Sequence, residues 1–233
     1  MIRTYIIHLS DNELSLRLSF EALRTARSLG YDAEYFEGVQ NRQQIAEYLL
    51  NYRLIVNHKG GDIATNWGTM GCFVSHHKLW RRAVELDEPI VIMEHDALPL
   101  HDCTNIVSDV EHACHLDRFL PFNSSEDPVK YFKKYNERTT AKLVPGVESY
   151  PYQDDFYHGM DLVGTCFRGA YAYIITPAGA RRVLDFVKTN GAFPADMCLC
   201  SNAIALQGTK STYVRLNPFF NDLETQRRHT TRK

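Results

Sequence analysis

Glu94 and Asp96 stand two residues apart at the end of an apolar run, Pro89-Ile90-Val91-Ile92-Met93, and are followed by Ala97-Leu98-Pro99. Alternate side chains of an extended chain project to the same side, so the two carboxylates lie close enough to serve one hard, oxygen-seeking cation. Such a cation bridges diphosphate oxygens and offsets the charge that develops on a departing nucleoside diphosphate. An acidic pair at a strand end also serves as a solvated turn or a capping group, so its meaning depends on the elements around it. A second combination, Cys103, His112, Cys114 and His115, offers zinc-type ligands, but its spacing matches no common zinc pattern.

The run Ile90 to Met93 is short, continuous and bounded by Pro89 and Pro99, as expected of a buried strand in a mainly parallel sheet. Its carboxyl end is where open α/β sheets place their ligands. Upstream, Thr4 to Leu9 reads as a strand, and Ser10 with Glu13 three residues on has the form of a capping box. Leu14, Leu18, Ala22, Ala26 and Leu29 then recur at helical spacing up to Gly30, and Tyr31 to Val39 reads as a second strand. This is a βαβ opening. A helix near Gln43 to Leu50 and a polar loop from Asn57 to Gly68 lead to a helix from Thr69 to Leu86. Beyond the acidic pair, a helix is expected from Thr104 to Asp117. Residues 121–163 show no clean period and read as long loops and short helices covering the site. Ala170 to Thr176 reads as a strand, and Pro177 opens a helix to Lys188 that Asn190-Gly191 ends. Another helix follows Pro194, and Thr212 to Leu216 is a last strand. With no repeat or linker, the expected architecture is a single α/β domain over residues 1–233, its mainly parallel central sheet flanked by helices, with a variable segment at about 100–163.

Composition narrows the function classes. With 44% hydrophobic and 23% charged residues, the chain has the make-up of a packed globular protein. A net charge of −2 gives no global attraction to nucleic acid or an anionic membrane, although Arg227 to Lys233 form a small basic tail. The apolar stretch in MIRTYIIHLSDNE is too short for a secretory signal, and no stretch approaches a membrane span. Six cysteines without framework spacing are expected to be thiols, which together with these features places the protein in the cytoplasm (host cytoplasm for a viral chain).

Two segments carry a resemblance. Gly71-Cys72-Phe73-Val74-Ser75-His76-His77-Lys78-Leu79-Trp80, followed by Ile90 to Ala97, resembles glycosyltransferase family 25, whose members have a GC-x-x-SH-x-x-x-W-type helix before an apolar strand ending in EDD. Ile6 to Leu9 with Arg17, Phe36-Glu37-Gly38-Val39, Gly169 to Ala180 and Phe193-Pro194-Ala195-Asp196 resemble further parts of the family. The family's middle Asp is His95 here. The resemblance implies a GT-A-type, Rossmann-like fold, a UDP-sugar donor, and Mn or Mg held through Asp96 with Glu94. It also implies donor contacts from Arg17, Glu94 and His95, with Arg17 reaching the diphosphate and His95 at the position that would meet the ribose. Inversion of configuration requires a carboxylate to accept the acceptor's proton, and Asp196 is the candidate, with an N-cap as its alternative role. Ser75 and His76 are expected to brace the acidic segment, and His229 to complete the metal shell as late histidines do in GT-A enzymes.

The acceptor implied is an oligosaccharide or lipopolysaccharide. A modified nucleic-acid base of viral type stands as an alternative, because of the basic tail and the unassigned 121–163 segment. Two other classes fit some of the residues. A non-catalytic sugar-nucleotide-binding module would make His95 a mark of degeneration, whereas the two outer carboxylates are retained. A metal-dependent hydrolase using His76 and His77 lacks a multi-histidine ligand pattern.

Overall fold

The computed structural model describes residues 1–57, 66–118, 128–150 and 164–220. Its centre is a seven-stranded sheet. The strands are β1 (Arg3–His8), β2 (Asp32–Glu37), β3 (Ile90–Glu94), β5 (Ala113–His115), β6 (Val147–Ser149), β7 (Ala172–Ile175) and β8 (Leu206–Thr209), in the order β2-β1-β3-β7-β5-β8-β6. β1 pairs in parallel with β2 and β3, β7 runs antiparallel to β3 and β5, β5 is parallel to β8, and β6 is antiparallel to β8. All strands but β6 and β7 therefore point the same way, which is the mainly parallel α/β sheet expected, with two reversed strands set into it. A separate antiparallel ribbon joins β4 (Ala97–Pro99) to β9 (Val214–Leu216).

Strand alternation divides the core into two layers. Tyr5, Ile7, Ile90, Ile92, Tyr173 and Ile175 face one cluster with α2 (Arg42–Asn51), α3 (Trp67–Leu86), α5 (Pro177–Asn190) and the short α6 (Ala195–Cys198). Ile6, Val91, Met93, Ala172 and Ile174 face the other, with α1 (Glu13–Ser28) and the β4–β9 ribbon. Helices on both faces of such a sheet give the Rossmann-like form.

Three local expectations are corrected. Ser10 does not cap α1: the cap is Asn12, whose side chain accepts from the Ser15 amide, while the Ser10 amide and hydroxyl both donate to Glu37. The helix expected from Thr104 to Asp117 is a 3-10 segment, Thr104–Asp109, followed by β5. Ala113 to Asp117 are buried without a break, so neither a helical nor a strand period shows in their sequence. The third concerns the 121–163 segment: a helix, α4 (Pro128–Thr139), agrees with the short helices expected, whereas the edge strand β6 was not expected, and residues 121–127 and 151–163 lie outside the described residues. α4 is fastened by Tyr135, which donates to the buried Asp117 carboxylate at 2.6 Å and receives the Leu216 amide at 2.9 Å.

Candidate active site

The GC-x-x-SH segment is explained by two adjoining stripes of α3. On one, Gly71 passes so close to the chain after β2 that a Cβ there would lie 2.1 Å from the Val39 carbonyl oxygen. Ser75, one turn on, accepts the Val39 amide at 2.9 Å and donates to the Gly71 carbonyl at 2.7 Å. On the other stripe, Cys72, His76 and Trp80 recur every four residues and face the end of β3 and β7. The loop after β2 and the end of β3 are thereby held by one helix.

Glu94 ends β3 and is the focus of a directed hydrogen-bond chain. Trp80 can only donate, so its indole N–H goes to the Tyr173 oxygen at 2.8 Å, and the Tyr173 hydrogen is left for His76 Nδ1, also at 2.8 Å. In that tautomer His76 Nε2–H donates to Glu94 Oε1 at 3.1 Å, and the Cys72 thiol donates to the same oxygen at 3.5 Å. Trp80, Tyr173 and His76 are fully buried, and the His76 and Tyr173 rings stack. His76 thus braces the acidic segment, as expected, but Ser75 does not: its hydroxyl holds the loop after β2 instead. Tyr173 was not singled out from sequence; nothing in its local pattern distinguishes it from any core aromatic of a buried strand.

Asp96 follows where the chain leaves β3 for β4. Its carbonyl accepts the Asn217 amide at 2.7 Å, and the Asn217 side chain in turn donates to Glu21 of α1 at 3.0 Å. Asp96 Oδ1 is buried and has no hydrogen-bond partner among the described residues. The two carboxyls respond oppositely to their surroundings. Burial pushes Asp96 up to about 6, helped by the charge of Glu94 and opposed by His95. Burial also acts upward on Glu94, but the hydrogen bond from His76, then His95 and the Cys72 thiol, outweigh it and hold Glu94 below the usual carboxylate range. An orphaned buried oxygen beside a second carboxylate fits a hard divalent cation, which would supply the missing partner and keep both groups ionised.

Asp196 belongs to the same neighbourhood. It lies in the first turn of α6, which packs against α3, and its charge reaches the Cys72 thiol together with those of Glu94 and Asp96. It is not the N-cap: Pro194 holds that position, and Asp196 Oδ1 accepts the Met197 amide at 3.1 Å. Arg17 is exposed on α1 one turn from its start, over the Phe219 ring at 5.1 Å from the centroid. His95, which separates Glu94 from Asp96 in the chain, is half-buried. His229 and the basic tail lie outside the described residues.

The electrostatic frame is set by topology. β1, β2 and β3 are parallel and end together at His8, Glu37 and Glu94. α1 and α2 start just after β1 and β2, and α3 runs back towards β3, so the amino ends of three helices, capped by Asn12, Asn41 and Asn66, point to this edge. Helix amino ends favour anions such as phosphate. His77, by contrast, turns away from the site, with Nδ1 2.9 Å from the Tyr48 hydroxyl, so it does not join His76 as a hydrolytic pair. The zinc-type residues are divided between the layers: Cys103 and Cys114 pack into one, whereas His115 contacts Phe167 and Tyr150 on the other.

The family model for glycosyltransferase family 25 (LPS biosynthesis protein) matches residues 1–199, most of the chain and every site residue named above except Asn217, Phe219 and His229. The chain belongs to glycosyltransferase family 25. No curated protein matches it significantly. The GC-x-x-SH helix is the scaffold of the Glu94 carboxylate. No helix among the described residues is long and apolar enough to cross a membrane.

Proposed function

We propose that the protein is a metal-dependent glycosyltransferase of GT-A type that moves a sugar from a UDP-sugar to a hydroxyl of an oligosaccharide or lipopolysaccharide acceptor in the cytoplasm. The observation that carries this reading is the pair Glu94 and Asp96, with Asp96 Oδ1 buried and without a partner among the described residues at the edge where three helix amino ends meet. Mn or Mg held by Asp96 and Glu94 would neutralise the diphosphate as it leaves. His76 fixes the orientation of Glu94 through the chain from Trp80 and Tyr173, so that carboxylate is set before substrate arrives. Arg17, on the first turns of α1, meets the diphosphate from the other side, and His95 faces the ribose.

Asp196 is the general base of an inverting reaction. It takes the proton of the acceptor hydroxyl as that oxygen bonds to the sugar's anomeric carbon and the bond from that carbon to the diphosphate oxygen breaks, releasing UDP. A glycan is favoured over a nucleic acid as acceptor because the chain carries a net charge of −2 and the family description concerns lipopolysaccharide. The test is release of UDP from a panel of UDP-sugars with lipopolysaccharide-type oligosaccharides, with Mn and with a chelator, for the wild type and Asp96→Asn. Transfer that needs Mn and falls with Asp96→Asn supports the reading, and the anomeric configuration of the product tests inversion. Transfer indifferent to chelator and to Asp96→Asn refutes the metal role assigned to the pair.

A further inference from the structure

The three groups that converge at the end of β3 differ in kind from the oxygen ligands of a hard cation. Cys72 Sγ, His76 Nε2 and a Glu94 carboxylate oxygen lie within 4.8 Å of one another, with 3.5 Å from sulfur to Oε1 and 3.1 Å from nitrogen to Oε1. A tetrahedral zinc ion bound at about 2.0–2.3 Å needs ligand atoms roughly 3.3–3.8 Å apart. Cys72 and His76 come from one face of one helix at a spacing of four, and Glu94 comes from the strand end opposite them, so the three project from rigid elements. We propose that Cys72, His76 and Glu94 form a second cation site, selective for a thiophilic divalent ion such as zinc, that shares Glu94 with the oxygen site at Asp96.

The surroundings supply the outer partner and access of such a site, whereas burial and the charges of Glu94, Asp196 and Asp96 push the Cys72 thiol up until a metal ion offsets them. Binding replaces the Cys72 S–H bond with a sulfur–metal bond, and the thiol proton passes to solvent. The His76 ring gives up the hydrogen on Nε2 and carries one on Nδ1 instead, so the Tyr173 hydroxyl turns its own hydrogen away from the ring and its oxygen, at 2.8 Å, changes from donor to acceptor there. That is the outer partner a metal-bound imidazole ordinarily has, and Trp80 holds the Tyr173 oxygen in place from its other side. Glu94 is about one-quarter exposed, so solvent, and with it an ion, can reach the carboxylate. Sulfur and imidazole select zinc over Mn or Mg, which prefer oxygen. Because the ion takes Glu94 Oε1, zinc and the hard cation compete for one carboxylate. That consequence rests on the function proposed above, whereas the binding itself does not.

The test is titration of the full chain with cobalt(II), a spectroscopic stand-in for zinc, followed by displacement with zinc against a chromophoric chelator, for the wild type, Cys72→Ala and Cys198→Ala. One equivalent is expected to give sulfur-to-cobalt charge-transfer absorption in the near ultraviolet and the visible bands of a four-coordinate ion. Both should vanish in Cys72→Ala and persist in Cys198→Ala, and the zinc Kd should rise at least about 100-fold in Cys72→Ala, more than the loss of an outer partner alone causes. Thermal unfolding of Cys72→Ala near the wild-type temperature shows that the loss is local; if that variant is unfolded, Glu94→Gln takes its place, with loss of the four-coordinate bands as the expected result. Absence of charge transfer in the wild type, or its survival in Cys72→Ala, overturns the inference. Neither result touches the donor reading, which stands or falls on Mn and UDP-sugar with Asp96.

Discussion

Tyr173→Phe isolates the device that orients Glu94. The ring and its stacking on His76 are kept and only one hydroxyl is lost, but that hydroxyl partners two fully buried groups, the Trp80 indole N–H and His76 Nδ1, each at 2.8 Å. Each group left without a partner costs about 1–3 kcal/mol, so the substitution is expected to destabilise the protein by about 3 kcal/mol. For a chain of this size that is a fall in Tm of about 6–12 °C. Calorimetry or circular dichroism at constant pH measures it. Pairing the change with Trp80→Phe refines the test, because a double variant no longer carries an indole N–H lacking an acceptor. Its loss should be smaller than the sum of the single losses by about 1 kcal/mol. A Tm within about 1 °C of wild type for Tyr173→Phe, or strict additivity in the double variant, would refute the directed chain from Trp80 to Glu94, since a structure whose Tyr173 hydroxyl is idle gives both results.

Other outcomes follow from the same structure. Gly71→Ala places a Cβ 2.1 Å from the Val39 carbonyl oxygen, a clash with backbone, and should cost about 3 kcal/mol or more in urea unfolding, with loss of the Ser75 to Val39 contact. Asp196→Asn should lower kcat by roughly 10²–10⁴ while leaving UDP-sugar binding near the wild-type value, as loss of a base but not of a binding group requires. Burial lowers His77 and His115 to about 4, with Arg81 adding to the effect at His77. Their unfolded forms take up protons first, so stability present above about pH 6.5 is lost as pH falls towards 4. Each contributes about 2 kcal/mol of loss between pH 7 and pH 5, and His77→Gln should flatten the stability profile by that amount. Asp117 works the other way, because burial raises it to about 6 against hydrogen bonds from Tyr135, Tyr171 and Thr212, so its share of stability grows as pH falls from 6 to 4.

How much was legible in the sequence follows the physics of each element. β1, α1, β2, α3, β3 and α5 have long periodic or continuous apolar patterns and firm stops, and each forms close to where it was expected. The carboxyl end of β3, with Glu94 and Asp96, was therefore located correctly from the strand alone. β5 and β8 were not, since three- and four-residue strands buried among neighbours far along the chain carry no period, and their pairing depends on contacts that no local window holds. At the site, the roles of Gly71 and Ser75 against Val39, and of Tyr173 between Trp80 and His76, are tertiary relations with no local signature. Asn217 is similar: it fixes Asp96 from more than a hundred residues away in the chain. The departure at His95 was visible as a residue, but its electrostatic action on both neighbouring carboxyls required the fold.

Thermal unfolding of the wild type and Asp96→Asn across a panel of UDP-sugars, with and without Mn, tests the central claim most directly. A donor at about 100 times its Kd should stabilise the wild type by about 2.7 kcal/mol, roughly 5–10 °C, only when Mn is present, and Asp96→Asn should abolish the shift. An equal shift in Asp96→Asn, or one that needs no metal, would contradict the assignment of Glu94 and Asp96 as the metal-dependent donor site.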